Sequence, residues 1–320
     1  MRPSRPLLGV FLVLLVLAQG CARQVAPADQ TGTPTATAIT ASPAAFPLTV
    51  ADDDGVSVTL DAPPQRIVTF APSATEVLFA LGLGDRIVGV SGSYDDYPPA
   101  AKKIEQVGGA GDFGVDPNIE KVVSLQPDLL VTIEGGDQWK KRLRALGVPV
   151  FTINSTSFDD TLHDIQTVGR LTGTTDAADQ LVAGMQADAQ AIQAKVAGEP
   201  PVSCFYEVYY PPLMTVGPNT FIADLLRMAG CDSVSASAKT DYPQWSIDDL
   251  VRTNPDVYLV SSESAASPAA VAKRPGFDAI AAVANGRVIP IDADLVSRPG
   301  PRIVDGLRAL AEALHPDAFG

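Results

Sequence analysis

The sequence predicts an α/β protein of two lobes, each built on a mainly parallel sheet, with one long helix between them. Three observations carry that expectation. From about Thr49, short β-branched runs alternate with capped amphipathic segments, the rhythm of strands separated by crossover helices. Residues 174–196 break the rhythm with an Ala- and Gln-rich helical stretch too long for a crossover and set near the middle of the chain. After Glu199-Pro200-Pro201 the alternation starts again.

In chain order, Met1 to Arg5 is a short basic start, followed by an apolar core from Leu7 to Ala18. That core is shorter than the ~20 residues a spanning helix needs, so residues 1–20 read as a signal peptide. Ala18-Gln19-Gly20-Cys21 comes next. A cysteine directly after small residues at the end of such a core resembles the bacterial lipoprotein signal, in which Cys21 would be lipidated and become the first residue. Of the 26 residues from 22 to 47, 17 are Ala, Thr or Pro. Such a segment buries too little surface to offset its ordering entropy. Residues 21–47 are therefore expected to be a disordered tether on a lipidated cysteine, with lipid chains as the only hold on the membrane.

The first lobe is expected over residues 48–173. Ile67-Val68-Thr69-Phe70 reads as a strand and leads into Pro72-Ser73-Ala74-Thr75-Glu76. Ser73 as cap and Glu76 three residues later form a capping box, and Gly82 stops the helix. Residues 87–90 are a second strand. Asp116-Pro117 reads as a helix start, carried on by Ile119, Val122, Val123 and Leu125. Then come a strand at 129–133, a helix at 137–146 ended by Gly147, a strand at 148–153 and a helix at 157–171.

The connecting helix is expected over 174–198, with Leu181, Met185, Ala189, Ile192 and Val196 three or four residues apart on one face. The second lobe, 199–320, repeats the pattern. Strands are read at 202–209, 257–260 and 288–291, and helices at 220–228, 246–251 and 303–314. Ser246 and Asp249 make another capping box. Together these define two Rossmann-like lobes.

Composition then excludes several functions. Lys and Arg total 23 against 37 Asp and Glu, a net charge of −14, which repels nucleic acid and anionic lipid. Three cysteines cannot staple a disulfide scaffold, and two histidines, His163 and His315, cannot build an imidazole cluster. Cys204 and Cys231 are either a disulfide or two buried thiols. Asp52-Asp53-Asp54 beside Gly55 reads as a solvated turn. Gly82-Leu83-Gly84 follows a helix rather than a strand and fails the context of a dinucleotide loop. No Gly-x-Ser-x-Gly elbow occurs. Nothing here signals an enzyme. Binding remains: Tyr94, Tyr97, Phe113, Tyr206, Tyr209, Tyr210 and Tyr242 fall in loops or at strand ends of both lobes. Carboxyl ends of parallel strands line the usual ligand crevice, so the set favours a cleft between the lobes for a flat or bulky apolar ligand.

From Ile67 to the last helix the sequence resembles the substrate-binding proteins of ABC importers, in the class with a rigid helix between lobes that serves cobalamin, ferric siderophores and haem. The vitamin B12-binding branch is the nearest. The resemblance lies in Pro72-Ser73-Ala74-Thr75-Glu76, Val88-Gly89-Val90-Ser91 and Tyr94-Asp95-Asp96-Tyr97-Pro98-Pro99. In the second lobe it lies in Pro211-Pro212-Leu213-Met214-Thr215, Tyr242-Pro243-Gln244-Trp245-Ser246, and Arg298 before Pro301-Arg302. It implies a non-enzymatic, extracytoplasmic, lipid-anchored receptor, with an ABC permease and its ATPase subunits as partners. The ligand implied is a large planar or chelate molecule, cobalamin or another corrinoid first. Haem, a ferric siderophore, or a sensory binding module without transport are the alternatives.

Residue by residue, the resemblance implies ligand contacts at Tyr94, Ile133, Leu213, Tyr242 and Arg298, with Phe113 substituting for a ring in the segment 108–113. Family tryptophans become Tyr242 and Ile133, and another aromatic becomes Leu213, so ring area is lost. Arg298 would donate to ligand amide or phosphate oxygens. Glu120 and Asp248, one in each lobe, would dock on the permease.

Overall fold

The computed structural model describes residues 45–108, 116–265 and 267–320. The leader, Cys21, the tether up to residue 44, and Phe113 lie outside the described residues.

An antiparallel hairpin comes first, β1 (Leu48–Ala51) and β2 (Ser57–Leu60). Its acidic turn is exposed at Asp53 and Asp54, as the sequence reading has it, but corrects that reading at Asp52, which is buried, and at Asp54, which is paired. Asp52 is 5% exposed and accepts from the Val56 and Thr152 backbone N–H groups and from Arg144. Asp54 accepts from Lys140 at 2.9 Å, and that lysine is fully buried. Burial pushes the Asp54 carboxyl up, but the Lys140 and Thr152 hydrogen bonds outweigh it and hold the group below the usual range. The acidic run is a clamp on the first lobe.

That lobe continues with β3 (Ile67–Phe70), α1 (Pro72–Ala80), β4 (Ile87–Gly89), α2 (Ile119–Ser124), β5 (Leu129–Ile133), α3 (Asp137–Ala145), β6 (Val150–Ile153) and α4 (Phe158–Thr172). The strand order is β4-β3-β5-β6, all parallel. The chain leaves β3 toward β4 and then crosses to β5, so the switch point lies between β3 and β5.

Two helix starts differ from the sequence reading. The first helix begins at Pro72 with Ala71 as its cap and no side-chain cap bond, so Ser73 and Glu76 form no capping box. Both are buried instead. Asp116-Pro117 does not open α2; Pro117 bridges Gly108, and Asn118 caps the helix by accepting from the Lys121 N–H at 3.0 Å.

The 22-residue helix α5 (Thr175–Val196) follows, and the second lobe begins at β7 (Val202–Tyr209). Next come β8 (Met214–Thr215), α6 (Phe221–Met228), β9 (Cys231–Ser233), α7 (Ile247–Thr253) and β10 (Val257–Ser261). The chain closes with α8 (Pro268–Ala272), α9 (Ala281–Ala284), β11 (Val288–Ile291), α10 (Ala293–Ser297) and α11 (Ile303–Leu314). The second sheet is β11-β10-β7 in parallel, with β8 antiparallel and β9 parallel on β7. Cys204 and Cys231 are joined in a disulfide with Cα atoms 5.8 Å apart. Among the described residues no helix is long and apolar enough to cross a membrane.

Period-two alternation sends each strand's side chains to two different cores. Ile67, Leu129, Val131 and Phe151 from the first sheet, and Cys204, Tyr206, Val257 and Leu259 from the second, enter one shared cluster. Their sequence neighbours Val68, Leu130 and Val150 fill an outer cluster of the first lobe. Phe205, Tyr258 and Val260 fill an outer cluster of the second. The shared cluster is completed by the buried face of α5, which packs on α4 of one lobe and α11 of the other. Two lobes thus stand on one continuous apolar body.

Candidate functional site

A cavity of about 220 Å³ opens between the lobes. Its first-lobe wall is the residues that follow β3, Ile133-Glu134 at the end of β5, and Ile153 to Ser155 at the end of β6. These are carboxyl ends on both sides of the switch point, where open α/β sheets bind ligands. The second-lobe wall is the first turn of α6, Tyr242, and Ser297 to Pro299 at the end of α10.

Ile133, Tyr242 and Arg298 therefore meet at one cavity. Ile133 is 42% and Tyr242 52% exposed, large apolar groups left free at its edge. Burial raises the Tyr242 hydroxyl above its ordinary range, with the Asp241 and Glu134 charges adding to it, so the group stays a protonated donor. Tyr94 does not line the cavity but is also exposed, as are Tyr97 and Tyr209. Of the other aromatic candidates, Tyr206 is 1% exposed in the shared core. Tyr210 lies under the Arg274 guanidinium at 4.0 Å, which pairs with the fully buried Glu207. Leu213 is 4% exposed in the outer core of the second lobe and does not line the cavity.

The Arg298 guanidinium, expected to donate to a ligand, is engaged with carboxylates in this structure. It pairs with Asp294 at 2.5 Å, Asp96 at 3.2 Å and Glu76 at 3.5 Å. Arg302 holds Glu76 in a two-pronged pair, 2.8 Å from Nε and 2.6 Å from Nη2, and lies 4.0 Å over the Tyr97 ring. The Glu76 hydrogen bond pushes the Arg302 guanidinium up, against its burial. Two second-lobe arginines are thus consumed by first-lobe and local carboxylates. The loop supplying Asp96 and Tyr97 is pinned by Asp95, 2% exposed, which accepts from the Gly92 N–H at 3.0 Å and from the Ser91 and Thr75 hydroxyls.

Sequence reasoning missed Glu76, Asp96, Arg302 and Glu134. Only the Asp294–Arg298 pair carried a local signal, at i, i+4 across the end of α10; Arg302 follows a non-helical Pro299-Gly300-Pro301 link and carried none. Glu120 and Asp248 are both exposed, in the first turns of α2 and α7, and neither has a hydrogen-bond or ion-pair partner among the described residues. Among those residues no group of three or more His, Cys, Asp or Glu is placed to hold a metal ion.

A cleft between two α/β lobes, at the carboxyl ends of the strands of the first, with one long helix packed against both lobes, defines a two-lobed solute-binding protein. The chain belongs to the periplasmic binding protein family, whose model matches residues 67–295. It is 38% identical to the ABC transporter substrate-binding lipoprotein YvrC of Bacillus subtilis, over 86% of this chain and 87% of that protein. It is 35% identical to a cobalamin-binding protein of Halobacterium salinarum, over 84% of this chain and 74% of that one. Among solved structures, the periplasmic vitamin B12-binding protein of Vibrio cholerae superposes with a TM-score of 0.69 at 26% identity, covering 80% of this chain and 98% of its own. The periplasmic heme-binding protein RhuT of Roseiflexus gives 0.72 at 26%, covering 79% and 99%. The chain is accordingly an extracytoplasmic solute-binding protein of an ABC importer, a carrier rather than a catalyst.

Proposed function

We propose that this protein captures cobalamin or a related corrinoid between its lobes and delivers it to an ABC permease through Glu120 and Asp248. The observation that carries the ligand choice is the pairing of the cleft arginines. A macrocycle bearing carboxylates needs free cations, and Arg298 and Arg302 are held by Glu76, Asp96 and Asp294. The side chains around a corrin are neutral amides, and only the nucleotide phosphate of a cobalamin is anionic, so its demand on free cations is smaller. The exposed ring of Tyr242 at the cavity edge, with that of Tyr94, offers flat apolar area to a macrocycle face. A gap of about 220 Å³ is below the ~300–1,000 Å³ of sites for drug-sized ligands, so a corrinoid would rest across its mouth or widen it. The similarity to a cobalamin-binding protein at 35% identity supports the same reading.

The test is titration of the full-length protein, purified in detergent, with cyanocobalamin, haem and a ferric hydroxamate. Cyanocobalamin should bind at micromolar concentration or better and the other two more weakly. Haem or the hydroxamate binding first would replace the corrinoid. The docking half is checked by the double substitution Glu120→Ala/Asp248→Ala, assayed with its permease in proteoliposomes. Uptake should fall at least about tenfold with ligand affinity unchanged, since charge pairs at such a contact set orientation and on-rate. Equal uptake would remove these residues from the interface.

A further inference from the structure

The cavity wall holds one carboxylate with no cation against it. Glu134 follows Ile133 at the end of β5, is exposed to the cavity and forms no ion pair among the described residues. Its Oε2 accepts from the Asn154 side-chain amide at 3.0 Å, while Oε1 has no partner among those residues. Asn154 is fixed in turn, because its backbone N–H donates to Asp53 at 2.6 Å in the β1–β2 turn. The acidic turn that clamps the first lobe therefore also sets the carboxylate's neighbour. Across the gap Tyr242 senses the Glu134 charge. The nearest cavity cation, Arg298, is already shared among three carboxylates.

We infer that Glu134, positioned by Asn154, is a specificity-determining residue that accepts hydrogen bonds from ligand carboxamide N–H groups and excludes ligands presenting a carboxylate there. This rests on the corrinoid reading and adds to it the reason one side-chain chemistry is chosen. An ionised acceptor makes a stronger bond to an amide N–H than a neutral one does. The same charge repels a ligand carboxylate in a partly desolvated gap, so attraction and exclusion come from one residue.

The probes are cyanocobalamin and its monocarboxylic acids, in which one side-chain amide is hydrolysed. They are compared on the full-length wild-type protein and on Glu134→Gln and Glu134→Lys. Wild type should bind cyanocobalamin at least about tenfold more tightly than at least one of the acids. Glu134→Gln should bring that ratio toward one, and Glu134→Lys should reverse it. Because Glu134 is exposed, thermal midpoints should not move. A ratio unchanged by both substitutions overturns the inference and leaves the corrinoid reading standing. Failure of wild type to bind cyanocobalamin at micromolar levels overturns both.

Discussion

Two seams hold the lobes together, and they are made of opposite materials. Along the helical seam, α5 lies between α4 and α11, and Ala178, Val182, Met185, Ala189, Ile192 and Val196 are all at most 8% exposed in the shared core. Asp224 of α6 reinforces it by accepting from the Phe158 N–H at the start of α4, at 2.9 Å. Along the cleft seam the contact is ionic, with Glu76 and Asp96 of the first lobe on Arg298 and Arg302 of the second. Apolar contact is non-directional and is lost as soon as the surfaces part. An ion pair can lengthen and admit water without losing all of its attraction. The difference teaches where movement is possible: α5 keeps the lobes in register, and the cleft end is the one that can rearrange, which is shear or small closure rather than a free hinge.

The largest expected effect comes from placing a charge in the dry seam. Ala189→Asp puts an unpaired carboxylate at a site 2% exposed and should cost about 3–5 kcal/mol. Because the shared cluster draws on both sheets, both lobes should unfold in one transition, followed by circular dichroism in urea. Ala191→Asp on the exposed face of the same helix should cost only about 1 kcal/mol, the loss of helix propensity. Two separate transitions in the Ala189 variant would show that the lobes are independent, and the contrast between seams would lose its basis.

The ionic seam should respond less. Arg302→Ala leaves Glu76, 3% exposed, with only the 3.5 Å contact to Arg298, and should cost about 2–4 kcal/mol. Adding Glu76→Ala should restore part of that, since the loss is mainly a stranded charge. The single transition should persist at a lower midpoint, and small-angle scattering should report a wider molecule. An effect below about 0.5 kcal/mol would place this contact among ordinary surface pairs.

The same contrast governs what could be read from the sequence. The helical seam was legible because its signal is local: apolar residues three and four apart over 22 residues, with a Glu-Pro-Pro stop. The parallel strands were legible for the same reason, as β-branched runs with turn residues between them. The ionic seam was not, because Glu76 and Arg302 are 226 positions apart and a glutamate near a helix start looks like a cap. Asp52 and Asp54 hid similarly, with partners 92 and 86 positions away. The strands β8 and β9 and the helices α8 to α10 are two to five residues long, too short for any period to show. Tyr242 and Ile133 came from resemblance and reached the cavity. Leu213 came the same way and did not, because resemblance carries a position but not the volume that decides whether a side chain turns inward.

The smallest effect sharpens the comparison at the rim of the cleft seam. Asp164 on α4 is 7% exposed and accepts from the hydroxyl of Ser155, a cavity residue, at 2.5 Å. Burial pushes its carboxyl up to about 7; the Ser155 hydrogen bond opposes this, and the charges of Asp53 and Asp160 add to it. The folded chain then holds a proton that the unfolded chain has released above about pH 4. Stability from this group is therefore fully present at low pH, falls as pH rises from about 4 to 7, and is level above that. Asp164→Asn keeps an acceptor for Ser155 and removes the titration. It should leave stability unchanged near pH 4 and raise it by about 1–3 kcal/mol at pH 8, read from urea midpoints across that range. A variant whose pH profile runs parallel to wild type would mean that Asp164 ionises freely in the fold. The first-lobe rim of the cavity would then be open to water, and the dry body would end short of the cleft.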